Sequence, residues 1–281
     1  MKILPPLAAG LLLASAALTQ AALTVYEPFD YPDFTFTDGT PVTGAGLTGT
    51  ATVRDSFDLT GSSFVNFDLF YPDLPTTGES VSTPGGTNTR ILETLATPLS
   101  SGTVWISVLV QNGGNSGAVP VGFLLNGDQP SSVFAGFVNG VSTTDTAFGL
   151  GTKPSGTAAS ITTFTTAGPS VAISNTAVHL IVLSIAFNTS GNFDTINLYI
   201  DPIVGQSLGA PNSTVTTLDV GTITGVGQDR AGGVGFSTDE IRIGDSYADV
   251  VPFAVPEPRV FALLGAGALI MVTFRRRSHR A

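Results

Sequence analysis

The chain has 281 residues, with 21 acidic against 11 basic side chains and a formal net charge of −10 at pH 7. Residues 22–255 hold twenty of the acidic residues and only five of the basic ones, so this stretch is more negative than the whole chain. A surface this acidic repels phosphate backbones, which argues against nucleic acid as a partner. The chain has no cysteine, which excludes disulfides, a cysteine nucleophile and thiolate metal sites.

The N-terminus predicts a signal peptide that signal peptidase removes. Met1–Lys2 supplies a short positive start, and Leu7–Leu18 is an uncharged run of Leu, Ala, Gly and Ser. Small side chains follow, which places cleavage after Ala21 or Ala22. The alternative is an N-terminal helix of the fold, but Thr24–Tyr26 already has the character of a strand.

The middle of the chain predicts an antiparallel β-sandwich. Apolar runs of five to nine residues alternate with turn clusters such as Asn112–Asn115 and Asn126–Asp128, which is the pattern of a sandwich. No stretch of the body shows sustained helical periodicity. Polar loops are expected at Thr76–Thr89 and at Pro211–Thr217.

Several strands can be predicted in chain order with their buried faces. In Thr103–Val110 the valines and Ile106 point inward, whereas Val178–Phe187 is apolar on both faces. A strand that is apolar on both faces belongs in the middle of a covered sheet. Thr195–Asp201 and Asp239–Gly244 alternate with period 2, so one face of each is buried and the other is wet.

Two of these strands carry the candidate ligand-binding residues. Trp105 faces away from Val104 and Ile106, while Asn197 and Tyr199 share one face of their strand. An aromatic platform beside polar side chains is what sugar binding requires. The alternatives stay open at this point: Trp105 packs beneath a covering loop, and Asn197 and Tyr199 form a solvated face.

Aspartates near the predicted turns are candidates for calcium binding. Asp128, Asp145, Asp194 and Asp201 could supply carboxylate ligands, as calcium sites require. The alternative is ordinary turn chemistry, in which an aspartate bonds its own backbone. We therefore assign no metal and no cofactor from the sequence.

The sequence offers little catalytic chemistry, so we predict that the protein is not an enzyme and name no catalytic residue. His179 lies in an apolar strand and His279 in the basic tail, which leaves no Ser–His–Asp arrangement and no His-based metal cluster. Asp239 and Glu240 are adjacent, so their side chains are expected on opposite faces of a strand and not as a glycosidase pair. A two-carboxylate site built from aspartates remains an alternative.

The C-terminus predicts a short membrane-spanning segment. Pro256–Glu257–Pro258 is followed by the apolar stretch 260–274 and by Arg275–Arg276–Arg277. The prolines prevent the helix from extending backward. About 15 residues at about 1.5 Å each span about 22 Å, short of the roughly 30 Å hydrocarbon core. The arginines should stay on the cytoplasmic side, which places the body outside.

This tail resembles the PEP-CTERM sorting signal of Gram-negative bacteria. The likeness covers the motif Pro256–Glu257–Pro258, the short apolar helix and the basic membrane stop Arg275–Arg277. It implies that an exosortase recognises and removes the tail in a bacterium that makes exopolysaccharide or biofilm matrix. The protein would then be an inner-membrane intermediate before it reaches the outer surface or the extracellular matrix. An anchor that is never cut is the alternative.

The body resembles the concanavalin A-like or LamG-like domains common in PEP-CTERM proteins of Verrucomicrobia and Planctomycetes. The segments that carry the likeness are Tyr26–Pro32, Val104–Ser107, His179–Pro202 and Asp239–Gly244, with Tyr247–Val250 completing the closing strand. The likeness implies an all-β, two-sheet antiparallel jelly-roll sandwich. The sequence departs from the family after the opening strand, where it is rich in Thr and Asp and has no Trp.

Together these features predict a signal peptide at 1–21, one sandwich domain at 22–252 and a sorting signal at 255–281. The predicted function is an exported, non-enzymatic cell-surface or matrix protein that binds exopolysaccharide through the sandwich. One alternative is a purely structural or adhesive surface protein acting through protein contacts. Another is a glycoside hydrolase or lyase.

Overall fold

The structure is a computed structural model, and it describes residues 23–31, 35–55, 63–65, 68–83, 89–112, 121–126, 132–138, 146–153, 165–173, 176–188, 192–230 and 236–252. The predicted signal peptide with its cleavage site at Ala21 or Ala22 lies outside the described residues. The sorting motif at Pro256–Pro258, the apolar stretch 260–274 and Arg275–Arg277 lie outside them too. These parts of the sequence analysis therefore stay predictions.

The described residues form strands and one helical turn. The strands, in chain order, are β1 (Leu23–Glu27), β2 (Thr35–Phe36), β3 (Leu47–Asp55), β4 (Ser63–Val65), β5 (Val81–Thr83), β6 (Thr89–Leu99), β7 (Thr103–Asn112), β8 (Val121–Leu125), β9 (Ser132–Val138), β10 (Thr146–Lys153), β11 (Thr165–Thr166), β12 (Val171–Ile173), β13 (Val178–Ala186), β14 (Asp194–Ile200), β15 (Ser213–Leu218), β16 (Ile223–Arg230) and β17 (Phe236–Gly244). The helical turn, α1, is Tyr247–Val250.

The strands pair into two antiparallel sheets, which confirms the predicted all-β class. The first sheet has the order β15-β14-β13-β7-β17-β5-β4-β2, with β1 also paired to β17. The second has the order β11-β10-β9-β8-β16-β6-β3, with β12 also paired to β10. Neighbouring strands are often far apart in sequence, so each sheet closes only when distant segments meet.

The main core lies between the two sheets. Strand β13 contributes Ile181, Leu183 and Ile185 to this core, and the second sheet contributes residues such as Phe123 and Phe148. Each such fully buried side chain contributes about 1.5–3 kcal/mol relative to an exposed one. The two sheets therefore pack face to face as a β-sandwich.

A second, smaller core covers the outer face of the first sheet. Leu180 and Val182 of β13 belong to it, because side chains alternate between the two faces of a strand. Residues from the segments around Leu69 and Val204 and from α1 complete this layer. Strand β13 is therefore covered on both sides, as its doubly apolar sequence predicts, and it lies between β14 and β7.

Four segments differ from the sequence-based expectations. Asp239–Gly244 was expected to have one wet face, but all of its residues are buried. The expected loops at Thr76–Thr89 and Pro211–Thr217 contain the strands β5 and β15. Tyr247–Val250, expected as the end of the closing strand, is a helical turn. Ser246 caps this turn and reverses the chain, so the closing strand β17 ends at Gly244.

Within the described ranges, no helix combines the length and apolar character needed to cross a bilayer.

Candidate functional site

Three aromatic side chains meet on the outer face of the first sheet. Trp105 lies on β7, Tyr199 on β14 and Tyr247 on α1. The ring centroids of Trp105 and Tyr199 are 6.0 Å apart and the rings are stacked, while Tyr247 meets Trp105 edge-on at 5.9 Å. Both arrangements are favourable for aromatic pairs. Trp105 thus forms a base that supports the two tyrosines.

The helical turn α1 holds Tyr247 in this position. The backbone N–H and the hydroxyl of Ser246 both donate to the Asp249 carboxylate at 2.7 Å. The Asp249 N–H donates back to the Ser246 hydroxyl at 3.3 Å, which completes a capping box. Ser107 on β7 donates its hydroxyl to the Val250 carbonyl at 2.6 Å. These bonds fix α1 directly over β7.

A cavity of about 260 Å³ opens beside the two tyrosines. It lies between the end of β14, the segment 201–212 that follows, and α1. The lining is partly aromatic and partly polar: Tyr199, Tyr247, Asp201, Gln206, Ser207 and Asn212. This mixture of ring faces with a few convergent polar groups is typical of a small-molecule site.

Asp201 is held firmly in the wall of this cavity. One carboxylate oxygen lies 2.7 Å from Nδ1 of His179, and the other accepts the Leu180 N–H at 3.0 Å. An ionised carboxylate only accepts hydrogen bonds, so His179 donates through Nδ1. The backbone of Asp201 has a φ of 53°, a left-handed conformation that aspartate tolerates better than most side chains. The Asp201 side chain remains 39% exposed.

The segment after Asp201 is tied to the sheet edge. Asn212 accepts the Ile200 N–H at 2.8 Å through its side chain, and its own N–H donates to the Leu198 carbonyl at 2.8 Å. Tyr71 donates its hydroxyl to the Pro202 carbonyl at 3.3 Å. The wall of the cavity is therefore supported by bonds at both ends.

The three residues proposed from sequence for ligand binding fall in three different places. Tyr199 lines the cavity. Trp105 lies on the predicted outer face, but it supports the tyrosines as part of the second core. Asn197 donates to the Ser184 hydroxyl at 3.1 Å and accepts from the Thr214 hydroxyl at 2.8 Å. Its amide is therefore used within the sheet, and only Tyr199 remains a candidate for direct contact.

Sequence reasoning missed Tyr247, Gln206 and Asn212 as lining residues. For Asp201, the sequence analysis named only a candidate calcium ligand near a turn. The available signal was a few polar residues scattered among Gly, Pro and apolar residues in the segment 201–212, together with a tyrosine beyond the closing strand. Neither feature predicts a contact across 48 positions of chain without knowledge of the sheet order.

Of the other three calcium candidates, the structure describes Asp194, and this residue has a structural role. Asp194 is buried, and its carboxylate accepts the Asn188 N–H at 2.8 Å and the Val220 N–H at 2.7 Å. These bonds give Asp194 a structural role. They tie it to the backbone of two other segments and not to its own turn, which was the alternative expected from sequence. Asp128 and Asp145 lie outside the described residues.

His179 is buried at the edge of the main core. Its ring meets Phe137 at a centroid distance of 6.3 Å, and Nδ1 bonds to Asp201 as described above. These contacts give His179 a structural role at the start of β13.

A second polar cluster lies where β17 is bulged. The register of β17 against β7 shifts between Asp239 and Arg242, and Glu240 has a φ of 54°. Oxygens of Asp239 and Glu240, together with one of Asp68, lie within 4.8 Å of one another. The expectation that these adjacent side chains point to opposite faces is therefore wrong, because a bulge breaks the alternation of an ideal strand.

This cluster clamps the segment 68–77 onto β17. Asp239 accepts the Leu69 N–H at 2.8 Å, and Glu240 accepts the Thr77 N–H at 2.5 Å. The guanidinium of Arg242 donates to Glu240. Burial raises the pKa of Asp239 to about 9 and also raises the pKa of Glu240.

The same three carboxylates are the group that could hold a metal ion within the described residues. However, Arg242 already places a positive charge on Glu240, and both oxygens of Asp239 accept backbone N–H groups. Protein groups thus already occupy these oxygens. We interpret the cluster as a structural clamp and assign no metal to it.

Comparisons with known proteins give similarity of fold alone. No family model matches the chain, and no curated protein sequence matches it. Among solved structures, a β-1,3-glucanase from Mycobacterium marinum matches with 12% identity and a TM-score of 0.44, over 79% of this chain and 99% of that one. A glycosyl hydrolase family 16 protein from Mycobacterium smegmatis matches with 11% identity and a TM-score of 0.42, over 79% and 100%. The carbohydrate recognition domain of Emp46p matches with 13% identity and a TM-score of 0.39, over 70% and 88%.

These comparisons correct the function expected from sequence. The expectation was an exported, non-enzymatic surface or matrix protein, with a purely adhesive protein as its alternative. As an assignment of function this expectation is wrong, because the similar structures are glycoside hydrolases and carbohydrate-binding domains. Export of the protein and the absence of catalysis are separate predictions, and these comparisons do not bear on them. The similarity assigns no residue of this chain a role, and the chain belongs with β-sandwich folds.

Proposed function

We propose that this protein recognises carbohydrate through the cavity between Tyr199 and Tyr247. The observation that carries the proposal is the lining of the cavity, which joins two tyrosine rings to a carboxylate and two amide side chains. Sugars have apolar C–H faces that pack on aromatic rings, and hydroxyl edges that bond to planar polar groups. Tyrosine serves both needs, because it has an apolar body and a polar tip.

The size of the cavity sets the size of the ligand. At about 260 Å³ it lies below the range of about 300–1,000 Å³ that holds drug-sized molecules. One terminal sugar residue, or one residue of a chain that continues outside, fits this volume. The exposed side chain of Ile203, which also lines the cavity, provides apolar surface at the rim for such a continuation.

We also propose that the sandwich that carries this site is a jelly roll of the concanavalin A-like kind. The order of the first sheet supports it, because β7 lies between β13 and β17 and β1 pairs with β17. Strands from the start, middle and end of the chain thus alternate within one sheet, as the winding of a jelly roll requires.

The experiment is a binding survey with two variants of the cavity and one control. The purified protein is applied to an array of neutral, amino and acidic glycans, and positive glycans are measured by calorimetry. Tyr199→Ala and Tyr247→Ala should each weaken binding at least about tenfold, because each removes a ring from a contact of hot-spot character. Phe193→Ala is the control, since Phe193 is 59% exposed and lies outside the cavity lining.

Two results would contradict the proposal. One is a folded protein that binds no glycan on the array. The other is binding that Phe193→Ala weakens as much as the two tyrosine variants do. A reducing-end assay on each bound glycan, run in parallel, distinguishes recognition from cleavage.

A further inference from the structure

We infer that the cavity selects its saccharide by charge, favouring amine-bearing sugars and rejecting carboxylated or sulfated ones. The inference rests on the proposed function and specifies its ligand class. It comes from the position of Asp201 and from the kinds of side chain that surround it.

Asp201 presents a fixed negative charge to the cavity. His179 and Leu180 each bond to one of its oxygens, at 2.7 and 3.0 Å, so the carboxylate cannot turn away. A carboxylate has about four lone-pair positions, and these two bonds occupy two of them. The remaining lone pairs can accept hydrogen bonds from a ligand, because the Asp201 side chain is 39% exposed and lines the cavity.

Apart from the His179 imidazole that donates to Asp201, no cationic side chain among the described residues of the cavity wall offsets this charge. As far as the structure describes the chain, the lining contains no Lys and no Arg. The field of Asp201 reaches its neighbours: the pKa of Tyr71 is raised to about 12, first by burial and then by the charge of Asp201. The whole chain adds a net charge of −10.

The chemistry of this wall separates three kinds of sugar. A sugar ammonium group can donate charge-assisted hydrogen bonds to Asp201, which are about twice as strong as neutral ones. The same group is attracted to the faces of Tyr199 and Tyr247. A neutral sugar offers Asp201 only hydroxyl donors, and an anionic sugar meets like charge without a counter-ion. The expected order of affinity is therefore amine, then neutral, then acid.

The test compares three matched oligosaccharide series by calorimetry: glucosamine, N-acetylglucosamine and galacturonate oligomers of equal length. It is run at about pH 6, where an amine with an ordinary pKa of about 8 is protonated. The parent protein should bind glucosamine oligomers at least about tenfold more tightly than N-acetylglucosamine oligomers, a difference of about 1.4 kcal/mol. Binding of galacturonate oligomers should be weaker still.

Asp201→Asn is the decisive variant. Asn keeps an acceptor for the Leu180 N–H and tolerates a positive φ, so the wall should stay in place. It should abolish the preference for the amine, because glucosamine oligomers should lose more affinity than N-acetylglucosamine oligomers do. Asp219→Asn is the matched control, because Asp219 is an exposed aspartate outside the cavity lining and its loss changes the net charge equally.

The outcomes separate this inference from the proposed function. Galacturonate binding as tight as glucosamine binding, or a preference that survives Asp201→Asn, overturns the charge selection and leaves carbohydrate recognition standing. Failure of all three series and of the wider glycan array overturns both.

Discussion

At Gly227, the neighbouring backbone alone determines which residue the position can hold. It lies in β16 between β6 and β8. A Cβ added there would lie 1.9 Å from the Ile91 carbonyl oxygen and 3.0 Å from the Leu92 Cα. Both atoms belong to the backbone of β6, which cannot move without separating the two strands. Only glycine allows β16 and β6 to approach this closely.

We therefore expect Gly227→Ala to destabilise the protein by about 3 kcal/mol, at the upper end of overpacking costs. Gly209→Ala is the control, since a Cβ there meets nothing within 4 Å, and it should change stability by less than about 0.5 kcal/mol. Urea unfolding followed by tryptophan fluorescence measures both. Equal midpoints for the two variants would contradict the close approach.

Glu240 is a second residue whose backbone conformation determines where its side chain lies. Its positive φ within a bulge brings its carboxylate beside that of Asp239. A non-glycine residue rarely adopts this conformation. The strained backbone is retained only where other contacts compensate for its free-energy cost. The Thr77 N–H and Arg242 supply those contacts.

At the scale of elements, the two sheets are joined through a pair of buried carboxyl groups. Glu27 on β1 and Glu93 on β6 belong to different sheets. The Tyr31 hydroxyl lies 3.1 Å from Glu27 and 3.4 Å from Glu93, so its single proton can be donated to either carboxyl group. Glu27 and Glu93 are 0% and 1% exposed. Like charges so deeply buried favour retention of a proton.

This arrangement predicts a loss of stability as pH rises. Burial raises the pKa of Glu27 from 4.5 to about 7, and burial raises the pKa of Glu93 well above 4.5. Because the folded protein holds these protons more tightly than the unfolded chain, their stabilisation is complete below pH 4.5. It is lost as pH rises from about 4.5 through 7, and for Glu93 beyond.

Glu93→Gln should flatten this dependence, because glutamine is neutral and can still accept from Tyr31. Between pH 5 and pH 8 the free energy of unfolding of the parent protein should fall by at least about 1 kcal/mol more than that of the variant. Asp30 also raises the pKa of Glu27, while the nearby cation on β6, Arg90, is bonded to Asp229 at 2.7 Å. Urea unfolding across this pH range is the measurement, with Asp219→Asn as a control that keeps the full dependence. A variant with an unchanged pH profile would refute the role of the pair.

At the scale of the whole molecule, the sequence predicts a sandwich between two removable segments. The sandwich is present in the described residues, and β1 begins at Leu23, close to the predicted cleavage after Ala21 or Ala22. In the sequence, the Pro256–Pro258 motif follows α1 after a few residues.

Expression of the full chain in a Gram-negative host that contains an exosortase tests these segments. The mature N-terminus, determined by mass spectrometry, should be Ala22 or Leu23. The C-terminal peptide containing Arg275–Arg277 should be absent from the mature product. Substituting alanine for Pro256 and Pro258 should leave the protein membrane-bound, because recognition by the exosortase is lost. Recovery of the uncut full-length chain from the cytosol would contradict the prediction.

The sequence alone determined which residues face the core in the strands that keep regular alternation, such as β7 and β13. Val104 and Ile106 enter the main core while Trp105 faces outward, and the doubly apolar β13 is covered on both sides. These results follow because alternation is a local property of an extended chain. The sequence could not predict that α1 brings Tyr247 to Trp105 beside Tyr199, since that contact depends on the order of strands in the sheet.

The tertiary structure also determines which acidic residues lie close together. Local spacing placed Asp239 and Glu240 on opposite faces, but a bulge brings them together. Glu27 and Glu93 meet through Tyr31 only because the two sheets stack. Periodicity reports the direction of a side chain along its own strand, whereas register, bulges and sheet order determine which distant side chain it meets. The proposed site depends on the latter, so only the folded chain reveals it.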